Sequence, residues 1–320
     1  DKDLKSDLVY FKENFRRKYS VILYTIGHST YDLDYFINLL KHYHINCVVD
    51  VRSTPYSKYS SQYNKEFLSE VLKSNNIAYI HMGVEFGARR LSKDVYTKEG
   101  YVDFEKVKDD PDFLKGIASI KVGLKKWYRI AFMCTEKKPE ECHRCILVGR
   151  NFKNLGYKVL NIINERECKS QEDIEKELLE KTVINPETKS LNPNIVGQTP
   201  YKIAQMAGFE VPKDAKMLVA EIGGVGMDYP LSKEKLSPVL ACIKVKDAKE
   251  GIQRCVDMTE FGGLGHSAVI HSNNDDIILE FSKKVRTGRL LVNAPSTHGA
   301  IGDIYNVNTP SLTLGCGSMG

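Results

Sequence analysis

No run of 18 apolar residues occurs in this chain, and the segment from Asp1 to Lys18 is charged, with no hydrophobic stretch inside it. A membrane-spanning helix and an export signal are both unexpected, so the expected location is cytoplasmic. The eight cysteines lack framework spacing, which argues against a disulfide-stapled scaffold and for reduced intracellular thiols. Neither sign of charge dominates. Lys and Arg number 46 against 41 Asp and Glu, a formal +5, and that surplus does not by itself require a nucleic-acid partner. Internal repeats and long low-complexity tracts are also absent. What remains is a chain of 320 residues, 42% hydrophobic and 27% charged, long enough for two domains that each bury a core.

The first part alternates apolar, β-branched runs with segments of helical period. Strands are expected at Val21–Ile26, Asn46–Val51, Ala78–His81, Tyr128–Met133 and Lys158–Ile163. Between them, Leu33, Phe36, Ile37 and Leu40 share one helix face, as do Phe67, Leu68, Val71 and Leu72. A further helix is expected from about Glu140 to Leu155, and Gly156 suits its left-handed end. This rhythm predicts an α/β domain with a mainly parallel sheet and flanking helices over residues 1–181. Residues 182–195 are rich in Asn, Pro, Thr and Ser and read as a linker. The α/β rhythm resumes over 196–320, with strands expected near 216–221, 239–245, 268–272 and 289–293.

Three strands of the first part run out into polar residues. They give Gly27-His28-Ser29-Thr30, Asp50-Val51-Arg52 and Cys134-Thr135-Glu136, the last leading to Cys142-His143-Arg144. Ligands of open parallel sheets collect outside the carboxyl ends of the strands. His28, Asp50, Arg52 and Cys134 are therefore expected to converge, with Cys142, His143 and Arg144 opening a helix whose N-terminus favours an anion and a thiolate. The expected site binds a small anion through His28, Asp50, Arg52, His143 and Arg144, with Cys134 or Cys142 as an available thiol. Metal is not expected. Cys134, Cys142, His143 and Cys145 have suitable side chains, but the two Cys pairs, or Cys pair with His pair, of structural zinc sites are missing. Tyr56, Lys58, Tyr59, Tyr63 and Lys65, with Arg89 and Arg90, interleave aromatic and basic groups, so a nucleic-acid ligand is the alternative.

Thr25 to Thr30, Asp50-Val-Arg52, Pro55 and the Cys134, Glu136, Cys142-His-Arg144 pattern resemble the domain-of-unknown-function family 488, over residues of about 21–165. That family name supplies no reaction. A second resemblance covers residues of about 184–320. Glu234-Lys-Leu-Ser-Pro-Val-Leu-Ala241, Phe261-Gly-Gly-Leu-Gly-His266, Asn293-Ala-Pro-Ser296 and Pro310-Ser-Leu-Thr-Leu-Gly315 resemble the aldehyde-dehydrogenase half of bifunctional aldehyde-alcohol dehydrogenases. The resemblance implies a partial aldehyde-dehydrogenase-like α/β catalytic domain. It also implies NAD and CoA as cofactors, Glu234 on the nicotinamide ribose, and His266 beside the acyl group as a catalytic base.

That family's nucleophilic cysteine and nucleotide-binding motif lie upstream of the matching region, where this chain carries the first part instead. Gly223-Gly-Val-Gly226 is no dinucleotide fingerprint, since Asp228 and Pro230 follow it rather than a helix. Cys242, Cys255 and Cys316 fall outside the nucleophile's place. The whole is read as a composite, from a fusion, a chimera or a truncated gene product. Its second domain is expected to be inactive alone and to bind NAD and CoA poorly. The alternative places the whole chain in an acetylating acetaldehyde dehydrogenase system. An edge left without its usual neighbours leads to an expectation of exposed apolar surface and homo-oligomerisation.

Overall fold

The computed structural model describes residues 21–98, 100, 102–262, 264 and 267–296. It divides the chain into two compact units, Asp1–Glu177 and Leu178–Gly320.

The first unit is built on six strands: β1 (Ile22–Gly27), β2 (Cys47–Asp50), β3 (Ala78–His81), β4 (Ile130–Cys134), β5 (Lys158–Ile162) and β6 (Cys168–Ser170). Their order is β3-β2-β4-β1-β5-β6. Every pairing is parallel except β5 with β6. The expected strands are all present, and β6 is an addition that the sequence reading lacked. Period-two alternation on a sheet covered on both faces gives two cores. Leu23, Val49, Phe132 and Val159 join one, with Phe113, Ile117 and Ile120 of the helix Pro111–Lys125 and Phe152 of the helix Arg150–Asn154. Tyr24, Ile26, Val48, Met133 and Ile162 join the other, with Phe36 and Leu40 of the helix Leu33–His42 and Leu68 and Leu72 of the helix Lys65–Ser74. The result is three layers with the sheet in the middle.

The helix Pro111–Lys125 was not foreseen, although its start carries a capping signal. Pro111 occupies the first turn, and the Asp110 carboxylate accepts hydrogen bonds from the N–H groups of Asp112 and Phe113. The helix expected over 140–155 is broken into three pieces. A 3-10 turn spans Pro139–Glu141, a π-helical turn spans Arg144–Gly149, and ordinary helix follows at Arg150–Asn154. Pro139 has no N–H to extend a helix, and the wide turn follows directly on Cys142 and His143.

In the second unit, β7 (Leu218–Glu221) pairs parallel with β8 (Val239–Cys242), and β9 (Ser267–Ile270) pairs parallel with β10 (Arg289–Val292). Helices at Pro200–Ala207, Ala248–Gly262 and Asp275–Lys284 accompany them. The stretch read as a linker contributes Val183, Ile184 and Ile195 to a core with Ile203, Leu218 and Leu231. Its polar residues form turns, and its few apolar ones anchor it. Among the described residues no helix is long and apolar enough to cross a membrane.

Candidate functional site

Strand register does the first part of the assembly. Gly27, at the end of β1, sits beside Cys134, at the end of β4. Asp50, at the end of β2, lies between Met133 and His81. The chain leaving β1 stays close to the chain leaving β4, as the His28 N–H donates to the Cys134 carbonyl at 2.9 Å and the Ser29 N–H to that of Thr135 at 2.8 Å. Residue 27 must be glycine for this approach, because a Cβ there would lie 1.9 Å from the Glu136 carbonyl oxygen.

One cluster gathers around Arg52. Its Nε donates to Asp50 Oδ1 at 2.9 Å and its Nη2 to Asp50 Oδ2 at 2.6 Å, while Nη2 also reaches the Tyr63 carbonyl at 2.8 Å. Tyr79 donates its hydroxyl to Asp50 Oδ2 at 2.7 Å. Arg52 Nη1 lies 3.2 Å from His28 Nε2, and His28 Nδ1 lies 2.8 Å from the Ser29 carbonyl. The two contacts fit a neutral imidazole that donates from Nδ1 and accepts at Nε2. Its ring stacks on Tyr63 with centroids 3.9 Å apart. Burial, helped by the Arg52 charge, pushes the His28 pKa down to about 4. Asp50, Arg52 and His28 thus form one cluster at the strand ends. Most of Arg52's donors, however, are already taken up by Asp50, Tyr63 and His28.

A second cluster, the thiol group, forms where β4 ends. Cys134 and Cys142 are 2% and 1% exposed, and each donates its thiol to the same oxygen, Glu136 Oε2, at 2.9 and 3.0 Å. His143 Nδ1 lies 3.8 Å from Cys134 Sγ and 4.0 Å from Cys142 Sγ. The other ring nitrogen, Nε2, is 2.9 Å from the Val51 carbonyl. Fully buried Arg144 donates to the carbonyls of Glu136 and Lys137 and so holds the loop that carries Glu136. Its Nε is buried without a hydrogen-bond partner among the described residues.

The two thiols titrate as a pair in opposite directions. Burial opposes charge on Cys142, but hydrogen bonds from Cys134 and His143, with the charges of Arg144 and His143, outweigh it and pull its pKa well down. Cys134, bonded to Cys142 and buried beside Glu136, moves up. Burial would also lower the His143 pKa, and the bond to Cys142 reverses that. Of the two thiols, Cys142 is thus the one whose ionisation its neighbours favour.

Sequence reasoning named Cys134, Cys142, His143 and Arg144 but assigned no role to Glu136 or Tyr79. Glu136 stands two residues beyond Cys134 on the same strand exit, which is the signal that could have found it. Of the aromatic and basic series, Tyr63 is buried against His28, and Arg90 is paired with Asp110 at 3.0 Å. Tyr56, Lys58, Tyr59 and Arg89 are exposed, and Lys65 is half-buried. In the second unit, Glu234 is exposed and lines a cavity of about 350 Å³ with Lys235, Met258 and Gly262. His266 lies outside the described residues, as do Thr297–Gly320. Cys242 is exposed at the end of β8, and Cys255 is half-buried on the helix Ala248–Gly262.

Residues 32–150 match the family described as Domain of unknown function DUF488. The aldehyde-alcohol dehydrogenase of Streptococcus pneumoniae serotype 4 is 50% identical to this chain over 130 residues, 41% of the chain and 15% of that protein. The bifunctional aldehyde-alcohol dehydrogenase AdhE of Escherichia coli K12 is 42% identical over 135 residues, again 41% of the chain and 15% of the relative. An acetylating aldehyde dehydrogenase of known structure from Geobacillus thermoglucosidasius is 45% identical, covering 46% of this chain and 32% of that one with a TM-score of 0.42. Both resemblances read from the residues are thus found again, to the DUF488 family and to the acetylating aldehyde dehydrogenase region. The chain spans about 15% of the length of the two curated relatives.

Proposed function

We propose that the first unit binds a small anionic ligand and presents it to a thiolate held between Cys142 and Cys134. The observation that carries this reading is the shared contact of both sulfurs with Glu136 Oε2 and their approach to His143 Nδ1. Unreactive buried cysteines do not need a carboxylate and an imidazole arranged around them. Fully buried Arg144 supplies positive charge near the sulfurs, and half-buried His143 supplies an imidazole beside them. His28 packs in the same strand-end region, where it holds Arg52 in place. The reaction class that suits this set is thiol group transfer, in which the Cys142 thiol passes its proton to His143, its sulfur bonds to an electrophilic centre of the ligand as the bond from that centre to a leaving group breaks, and His143 returns the proton to the departing group.

The test is alkylation of the metal-free, reduced chain with iodoacetamide, followed by peptide mapping. Cys142 is expected to react at least about tenfold faster than Cys47 or Cys145, whose thiols burial pushes up to about 11 and about 12. Cys142→Ser should abolish the fast phase and His143→Asn should slow it. Equal rates at Cys142, Cys47 and Cys145 would end this reading.

For the second unit, we propose an aldehyde-dehydrogenase-derived fold that is inactive in this chain. Glu234 would face the nicotinamide ribose of NAD, and His266 would serve the acyl group and CoA. Acyl transfer also needs a cysteine nucleophile, and the positions of Cys242 and Cys255 support no such role. Exposed Met217, Val219, Leu236 and Leu240 support self-association of this part. The full chain, given acetaldehyde, CoA and NAD, is expected to form no NADH above background. NADH formation that disappears in His266→Ala would overturn the assignment.

A further inference from the structure

We propose that Cys134, Cys142, His143 and Glu136 form a tetrahedral site for a thiophilic divalent cation of the zinc class, with Glu136 as the exchangeable ligand. The inference rests on the same thiol cluster as the reading above and names what occupies it.

The first argument is geometric. One donor atom from each of the four side chains can be chosen so that all lie within 4.8 Å of one another. Zn–S bonds near 2.3 Å and Zn–N or Zn–O bonds near 2.0–2.2 Å put the edges of a tetrahedron at roughly 3.5–3.8 Å. The two sulfur-to-imidazole distances, 3.8 and 4.0 Å, are near that edge length already. The sulfur-to-carboxylate distances, 2.9 and 3.0 Å, are shorter, as thiol hydrogen bonds to a carboxylate should be. Putting a cation in place of those thiol protons requires Glu136 Oε2 to withdraw by about half an ångström. Glu136 is the exposed member of the set and can do so.

The second argument is orientation. A ligating imidazole normally donates its other ring N–H to a carbonyl or carboxylate, which fixes the tautomer. His143 Nε2 meets the Val51 carbonyl at 2.9 Å, which leaves the Nδ1 lone pair directed towards the two sulfurs. Arg144 plays the corresponding part for Glu136 by holding its backbone carbonyl and that of Lys137.

The third argument is ligand chemistry. Two thiolates, an imidazole and a carboxylate suit zinc and disfavour magnesium or calcium, which take oxygen donors. Cys134 and Cys142 are nearly inaccessible to water, so a second thiolate becomes tolerable there only with a cation present. Binding replaces the thiol protons and releases them to solvent. The spacing of these residues resembles no structural zinc motif, because β4, rather than a Cys pair, brings the ligands together. Three firmly held ligands and one exposed carboxylate describe a site whose fourth position can be taken by a small anion.

The experiment uses the full chain, stripped with a chelator under reducing conditions and titrated with Co²⁺ alone as a spectroscopic probe, then with Zn²⁺ in competition. One equivalent of Co²⁺ per chain is expected, with thiolate-to-cobalt charge-transfer absorption and the visible bands of tetrahedral cobalt, displaced by Zn²⁺. Cys134→Ser and Cys142→Ser should each weaken binding at least about 100-fold, and Glu136→Gln by about tenfold, while its visible bands persist. Absence of charge-transfer absorption in the parent protein, or a spectrum unchanged in Cys142→Ser, overturns the proposal. The parent spectrum decides even if a variant fails to fold. Alkylation of the stripped protein is a separate readout: a fast Cys142 with no cobalt spectrum removes the metal and leaves the thiol reading standing. Slow alkylation of every cysteine removes the thiol reading itself.

Discussion

Asp50→Ala is expected to lower the unfolding free energy of the first unit by about 3–5 kcal/mol, the cost of leaving a buried charge without its partner. Arg52 is 6% exposed and Asp50 fully buried, and their contact is bidentate. Removing the carboxylate also strands the Tyr79 hydroxyl that donates to it. With a urea dependence of about 1–3 kcal/mol per molar, the denaturation midpoint should fall by more than about 1 M. The double variant Asp50→Ala with Arg52→Met should recover part of the loss, since replacing both partners removes the unpaired charge. A midpoint for Asp50→Ala within about 0.3 M of the parent would show that the guanidinium finds other compensation. The same variant is expected to disturb the site, because Arg52 bridges Asp50 to His28.

The second large effect concerns pH. His28 in the folded protein has its pKa lowered from 6.5 to about 4, so between those values the unfolded chain binds a proton that the folded chain refuses. Stability therefore rises with pH across this window. The contribution is fully present above pH 6.5 and is lost as pH falls towards 4. It amounts to at most about 3 kcal/mol by the linkage relation. Denaturation midpoints measured along that window should slope more steeply for the parent than for His28→Asn, which keeps a polar side chain but does not titrate there. Parallel slopes would mean that His28 reaches solvent or is charged in the folded state. At neutral pH the variant should be moderately less stable, through loss of the stack on Tyr63.

Much of the first unit could be read from its residues, because parallel strands buried on both faces leave uninterrupted apolar runs. Ile22 to Ile26 and Ile130 to Met133 are of this kind. The ends of those runs then point to the site, since polar residues directly after a buried strand must converge at one edge of the sheet. The reading fell short where structure depends on partners distant in sequence. Nothing local to Arg52 tells that Tyr63 and His28 would join Asp50 in taking up its donors. The strand β6 has only three residues, Cys168–Ser170, and forms because β5 offers it an open edge. Cys134, Cys142 and His143 were visible, but Glu136 was given no part and Cys145 was weighed in its place, because the distances depend on the turns between Thr135 and His143, which no periodicity describes. In the second unit, short strands with mixed burial carry a weak pattern, and there the family resemblance said more than the periodicity did.

The position of Cys134 on β4 has a consequence for exchange with solvent. β4 lies between β2 and β1, and its amides should open only when the whole unit unfolds. Glu136 instead sits on an exposed loop that contributes little to either core. One wall of the site is thus tied to an inner strand of the sheet, and the opposite wall is an exposed loop held by Arg144 through the carbonyls of Glu136 and Lys137. Amide exchange is expected to be slow through Cys134 and fast from Thr135 to Lys138. A ligand of the kind proposed above would then exchange on the timescale of that loop's side chains while the sheet stays closed.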